Sequence, residues 1–206
     1  MSLRLLYTIL LGASVFLVSV TFHEFCHGLL ADRLGDPTAR RAGRLTLNPL
    51  RHIDPFWTVL LPGLLFLSTH GSFAIGMARP VPVNFLQLRH PKRDMIWVAA
   101  AGPLANFLLA GLLVILFKRF ELSVFLYAAY FNLGLGIFNL IPIPPLDGSR
   151  ILTGILPYRW ATAYVRLERY GFLLVLLLYF SGALTQVLIP AMNFLCHLLG
   201  IPEFSV

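Results

Sequence analysis

The chain has 206 residues, 58% of them hydrophobic and 12% charged, with a formal net charge of +7 and a mean hydropathy of +0.79. Soluble domains carry about 25% charged residues, so this composition excludes an ordinary soluble domain and indicates an integral membrane protein. The positive charge does not indicate a nucleic-acid partner, because the basic residues lie in loops between apolar runs.

The first apolar segment covers about 4–31. Arg4 before an apolar run is compatible with a signal peptide, but the run continues without a clear cleavage site into a motif, so it is read as a mature transmembrane helix. That motif is His23-Glu24-Phe25-Cys26-His27. Histidines at i and i+4 share one helix face and can bind one zinc ion, and the adjacent Glu24 can act as a general base. Ionisable groups inside hydrocarbon are costly and mark a functional site. His23 lies 19 residues past Arg4, which is about 28 Å along a helix. The hydrocarbon core is ~30 Å thick, so the histidines fall just below the far interface.

A polar stretch follows from Asp32 to Asp54, with Arg33, Arg40, Arg41, Arg44 and Arg51. These arginines are read as topology signals and headgroup contacts. The apolar run Phe56–Leu67, broken by Pro62-Gly63, is too short for an ordinary crossing and reads as a re-entrant or interfacial segment. Residues 71–86 alternate Val with Gly and Pro, a pattern expected for edge strands or a small β-hairpin that covers the site or pairs with an unwound substrate.

A second span is expected at 95–117, a tight turn at Lys118, Arg119 and Glu121, and a third span at 122–141. A fourth follows at 170–189, and the apolar piece 191–200 either joins it in a further crossing or lies in the interface. If 56–67 does not cross, 32–94 and 142–169 share one side and hold 13 of the 16 Lys and Arg residues. That asymmetry puts this face in the cytosol. Cys26 and Cys196 form no disulfide framework and are read as packed thiols. His52, His70, His90 and His197 lack i+4 partners and are read as loop or interface residues.

A catalytic zinc ion usually takes three protein ligands and a water. The HExxHxxGxxH pattern fails, since Leu30 and Arg33 stand where it needs Gly and His. The best third ligand is Asp147, in Asn139-Leu-Ile-Pro-Ile-Pro-Pro-Leu-Asp147-Gly148. It follows the third span back to the face that carries His23 and His27. Its three prolines forbid a regular helix there, and unwound backbone at membrane depth is tolerated where it lines a cavity.

These features together resemble the site-2 protease family of intramembrane zinc metalloproteases. The resemblance rests on HEFCH in an apolar span, on Gly102-Pro-Leu-Ala-Asn106 as the family's GxxxN pattern, and on NLIPIPPLDG, in order from 23 to 148. It implies an all-α polytopic membrane protein, one domain over 1–206 with a three-helix catalytic core in 1–148 and further C-terminal transmembrane helices in 149–206. It implies one Zn2+ per chain on His23, His27 and Asp147, with Glu24 as base. It also implies substrate-binding or oxyanion roles for Asn139 and Asn106, whose alternative is inter-helix hydrogen bonding. Expected partners are the lipid bilayer and single-span transmembrane substrates, with no nucleic acid; self-association is left open. The expected location is a prokaryotic cell membrane, with the site near the cytosolic face. The chain has no room for a PDZ or CBS module, which excludes substrate selection by such a module within it. The rival classes are a metal transporter, a catalytically silent scaffold and a membrane-anchored zincin. A transporter would spread ionisable groups along a path across the bilayer, whereas here they cluster near one face.

Overall fold

A computed structural model describes residues 3–69, 76 and 78–204. The described residues form helices and irregular connections. Three helices are long and apolar enough to cross a membrane: α1 (Leu3–Arg33), α4 (Pro91–Phe120) and α5 (Ser123–Leu140). Leu108 is 75% exposed on α4 and Val18 58% exposed on α1. Bare surfaces of this kind suit hydrocarbon, since soluble monomers rarely expose large contiguous apolar patches.

Helix α1 ends at Arg33, and two residues on Gly35 turns the chain with a φ of +112° that is closed to most side chains. The chain then turns into the short helix α2 (Thr38–Arg41). Asp36, fully buried, accepts from the Thr38 N–H and hydroxyl and from the Asn84 N–H. This carboxylate therefore ties the end of α1 to a segment almost fifty residues later, although its polar neighbours in the sequence suggest a solvated loop.

A π-helical turn, Pro55–Leu60, leads into α3 (Leu61–Ser68), and neither buries a residue. Together they remain shorter than an ordinary span, as the sequence indicates. The expected β-hairpin at 71–86 is not found. Residues 71–75 and 77 lie outside the described residues, while 78–84 run without strand pairing and Phe85–Gln87 form a 3-10 turn. Pro80 and Pro82 have no N–H to give to a ladder, which is the physical reason that β pairing fails here.

Helix α4 opens with Pro91 at its first turn, and the Asp94 carboxylate reaches back to the His90 N–H at 2.9 Å, the second half of a capping box. Lys118 and Arg119 complete α4, and Glu121 ends it in the left-handed conformation. Small residues let the core helices approach closely. Ala110 and Val114 of α4 pack with Ala129 and Leu133 of α5 and with Cys196, all nearly closed to solvent.

After α5 the backbone unwinds through the prolines, with a cis Pro144–Pro145 bond, into α6 (Asp147–Ile155). Helix α7 (Tyr158–Val165) follows, and a 3-10 turn leads to α8 (Gly171–Phe180). The fourth span expected at 170–189 is not one helix. It breaks at Ser181-Gly182, where Gly182 has φ +74°, and α9 (Ala183–Leu199) leaves at a 76° bend. Residues 191–199 continue α9 and pack Cys196 against the core.

Candidate metal centre

Helix α1 presents two adjacent stripes of i, i+4 residues. One carries His23 and His27, the other Glu24 and Gly28. His23 and His27 are 5% and 8% exposed. Their Nε2 atoms lie 3.0 Å apart. Asp147 Oδ2 lies 3.1 Å from His23 Nε2 and 3.2 Å from His27 Nε2. The ligand atoms of a tetrahedral zinc site with bonds of 2.0–2.1 Å sit about 3.3 Å apart, so this cluster is contracted by only a few tenths of an ångström.

The tautomers follow from the outer nitrogens. His23 Nδ1 lies 2.6 Å from Asn106 Oδ1, and His27 Nδ1 lies 2.6 Å from the Val98 carbonyl. Both partners are acceptors, so both Nδ1 atoms carry the proton and both Nε2 atoms turn a lone pair inward. Two nitrogen lone pairs and a carboxylate oxygen then face one another within 3.2 Å. Such a set is unfavourable unless a cation sits among its members, and the donor types suit zinc.

Two glycines make the convergence possible. A Cβ at Gly102 would overlap His27 Nε2 and the His23 ring, so α4 can cross α1 at this level only with a bare backbone. A Cβ at Gly148 would overlap the carbonyls of Leu140 and Ile141. The glycine after Asp147 therefore lets the first turn of α6 dock beneath the end of α5, which brings the carboxylate back to the histidines.

Asn106 is fully buried behind His23. Its Nδ2 donates to Asn132 Oδ1 at 2.8 Å, and Asn132 Nδ2 donates to Ser19 Oγ at 2.9 Å and to the Ala128 carbonyl at 2.8 Å. This chain joins α1, α4 and α5 and fixes which end of the Asn106 amide faces His23. Its carbonyl is thus committed to the imidazole rather than turned toward an open cleft. Asn139, at the end of α5, donates to the Leu135 carbonyl of its own helix at 3.0 Å. It makes no hydrogen bond to His23, His27 or Asp147.

Glu24 projects beside the cluster. Its Oε2 accepts from the Val81 N–H at 2.7 Å. Arg44 donates to the Arg79 carbonyl at 2.9 Å. Burial, with Arg79 and Arg51 nearby, lowers the Arg44 guanidinium pKa, and Glu24 acts in the opposite sense. Asn132, Ser19, Val98 and Val81 escape sequence reasoning. Only Asn132 carried a signal, as an uncapped amide in the middle of an apolar span; the backbone groups of Val98 and Val81 have none.

Helices of membrane-spanning length, with buried His23 and His27 facing Asp147, define a multi-pass membrane protein with a candidate metal centre. The sequence profile of Peptidase family M50 matches residues 11–123 and 118–182, and the chain belongs to that family. It is similar to "Putative zinc metalloprotease YwhC" of Bacillus subtilis, at 36% identity over 191 residues, 86% of this chain and 83% of that protein. It is also similar to "Putative zinc metalloprotease Rip2" of Mycolicibacterium smegmatis, at 30% identity over 198 residues, 92% of this chain and 74% of that protein. No solved structure matches the chain.

Proposed function

We propose that this protein is a zinc metalloprotease that cuts peptide bonds within or near the transmembrane segments of membrane proteins, as in regulated intramembrane proteolysis. The observation that carries the proposal is the convergence of His23 and His27, on a helix of membrane-spanning length, with Asp147 of α6 within 3.2 Å and next to Glu24. The names of the YwhC and Rip2 relatives support zinc as the metal.

His23 Nε2, His27 Nε2 and an Asp147 oxygen would hold the ion. Bound zinc supplies a Lewis acid and a water whose pKa is lowered to about 7. Glu24 then takes a proton from the attacking water and returns it to the leaving amine. One oxygen of its carboxylate is engaged by Val81, and the other accepts no hydrogen bond among the described residues, so it is open to the water. Asn139 stands at the end of α5, where its amide can turn from Leu135 toward a substrate carbonyl. Asn106 acts on the orientation of His23. A helical substrate hides its peptide bonds in intrahelical hydrogen bonds and must unwind before attack. The excess of basic residues in 32–94 and 142–169 supports a site on the cytosolic side.

The test is incubation of the purified protein with a panel of single-span peptides, with and without a zinc chelator. Cleavage that the chelator abolishes and that Glu24→Gln lacks, with zinc content retained, is the expected result. A Glu24→Gln protein that cleaves normally refutes the base assignment.

A further inference from the structure

The segment Arg79-Pro80-Val81-Pro82-Val83 crosses α1 directly over Glu24. Proline has no N–H, so Val81 carries the single backbone donor of residues 80–82. That donor goes to Glu24 Oε2 at 2.7 Å. The prolines fix their own φ and restrict Arg79 and Val81 to extended backbone. The strap is therefore stiff before it meets the carboxylate.

It is also fastened on both sides. The Arg79 N–H donates to the His52 carbonyl at 2.8 Å, and the Arg79 carbonyl accepts from Arg44 at 2.9 Å. The Asn84 N–H donates to buried Asp36 at 2.6 Å. The Val81 side chain is itself buried, over Gly28. A Cβ at Gly28 would lie 2.9 Å from Val81 Cγ1 and 3.2 Å from Ala39 Cβ. Glu24 and Gly28, one helical turn apart, thus form a seat: the glycine admits the Val81 side chain and the glutamate takes its N–H.

We infer that the Val81 N–H is a positioning group for the general base. It holds one oxygen of a long, three-torsion side chain so that the other points at the attacking water. A backbone donor on a proline-stiffened strap cannot swing away as a side chain can. The inference rests on Glu24 being the base.

The test replaces Val81 by α-hydroxyisovalerate, which turns its N–H into an ester oxygen and leaves the side chain in place. Zinc content, kcat and KM are measured on a single-span peptide that the unaltered protein cleaves, beside Val83→Ala and Glu24→Gln. The ester is expected to keep its zinc, to lose about 10- to 100-fold in kcat and to hold KM within about twofold. Val83→Ala, which alters the strap away from Glu24, is expected to stay within about threefold of the unaltered kcat. A peptide hydroxamate inhibitor reads the carboxylate without a substrate, and its affinity should fall in the ester and not in Val83→Ala. An ester with unchanged kcat and hydroxamate affinity overturns the inference, and so does an ester that cleaves faster, because the strap would then be an obstruction. Loss of zinc in the ester, or a rise in KM alone, also overturns it by making the strap structural. Normal cleavage by Glu24→Gln would instead remove the base itself, so the two failures are distinguishable.

Discussion

His23 Nδ1 and Asn106 Oδ1 lie 2.6 Å apart between two buried residues, and this contact decides which nitrogen of His23 faces His27 and Asp147. An imidazole whose outer N–H is held by an oxygen has a fixed ring plane and tautomer. Replacing that oxygen should loosen both. In Asn106→Leu, zinc affinity is expected to fall about 10- to 100-fold, measured by competition with a chromophoric chelator. An unchanged affinity would mean that helix packing alone orients His23.

Asn132 acts one step further out. Its carbonyl accepts from Asn106 Nδ2, so Asn132→Ala leaves that buried amide only its long, 3.5 Å bond to the Ser19 carbonyl. The expected cost is about 1–3 kcal/mol of stability, with a smaller loss of zinc affinity than in Asn106→Leu. The Asn106→Leu/Asn132→Ala double variant should lose less than the sum of the two, because both act through one chain of hydrogen bonds. Additive losses would show the two amides to be independent.

Gly102→Ala places a methyl group where both imidazoles stand. Neither ring can retreat while its Nδ1 stays bonded, so zinc stoichiometry should drop well below one per chain. Gly111→Ala, on the same helix with nothing within 4 Å of its would-be Cβ, is the control. It should bind zinc normally and change stability by no more than about 1 kcal/mol. Metal analysis and thermal melting of the two proteins separate a local clash from general damage to α4.

Asp147→Ala removes the proposed third ligand, and Gly148→Ala displaces it, since the added Cβ meets the Leu140 and Ile141 carbonyls. Both should lower zinc content, the first because two ligands bind far more weakly than three. A Gly148→Ala protein with full zinc would show that α6 can shift without moving the carboxylate. A full complement of zinc in Asp147→Ala would require another ligand.

Much of this architecture was legible in the residues. The apolar runs located α1, α4 and α5 to within a few residues, because hydropathy over twenty consecutive positions is a local property. His23 and His27 declared themselves by their i, i+4 spacing, and Asp147 was reachable by following the chain back to the same face. The break at Ser181-Gly182 was not legible, since a single Gly in an apolar run is common inside transmembrane helices. The alternating valines of 81 and 83 suggested a strand; their prolines instead made an unpaired strap whose Val81 N–H donates to Glu24. Asn106 showed only that an amide lay inside a span, not which way it faced.

By itself, then, the chain's sequence determined which segments enter the bilayer, which helix face carries the histidines and which carboxylate could join them. Tertiary structure alone decided that Gly102 and Gly148 bring three helices close enough to close the cluster, that Asn106 turns to His23, and that Val81 rests on Glu24. The physical reason is one of range. Helix formation and hydrophobicity are set by neighbours along the chain. The rotation of one helix against another, and the aim of a hydrogen bond between them, depend on how closely two backbones pack.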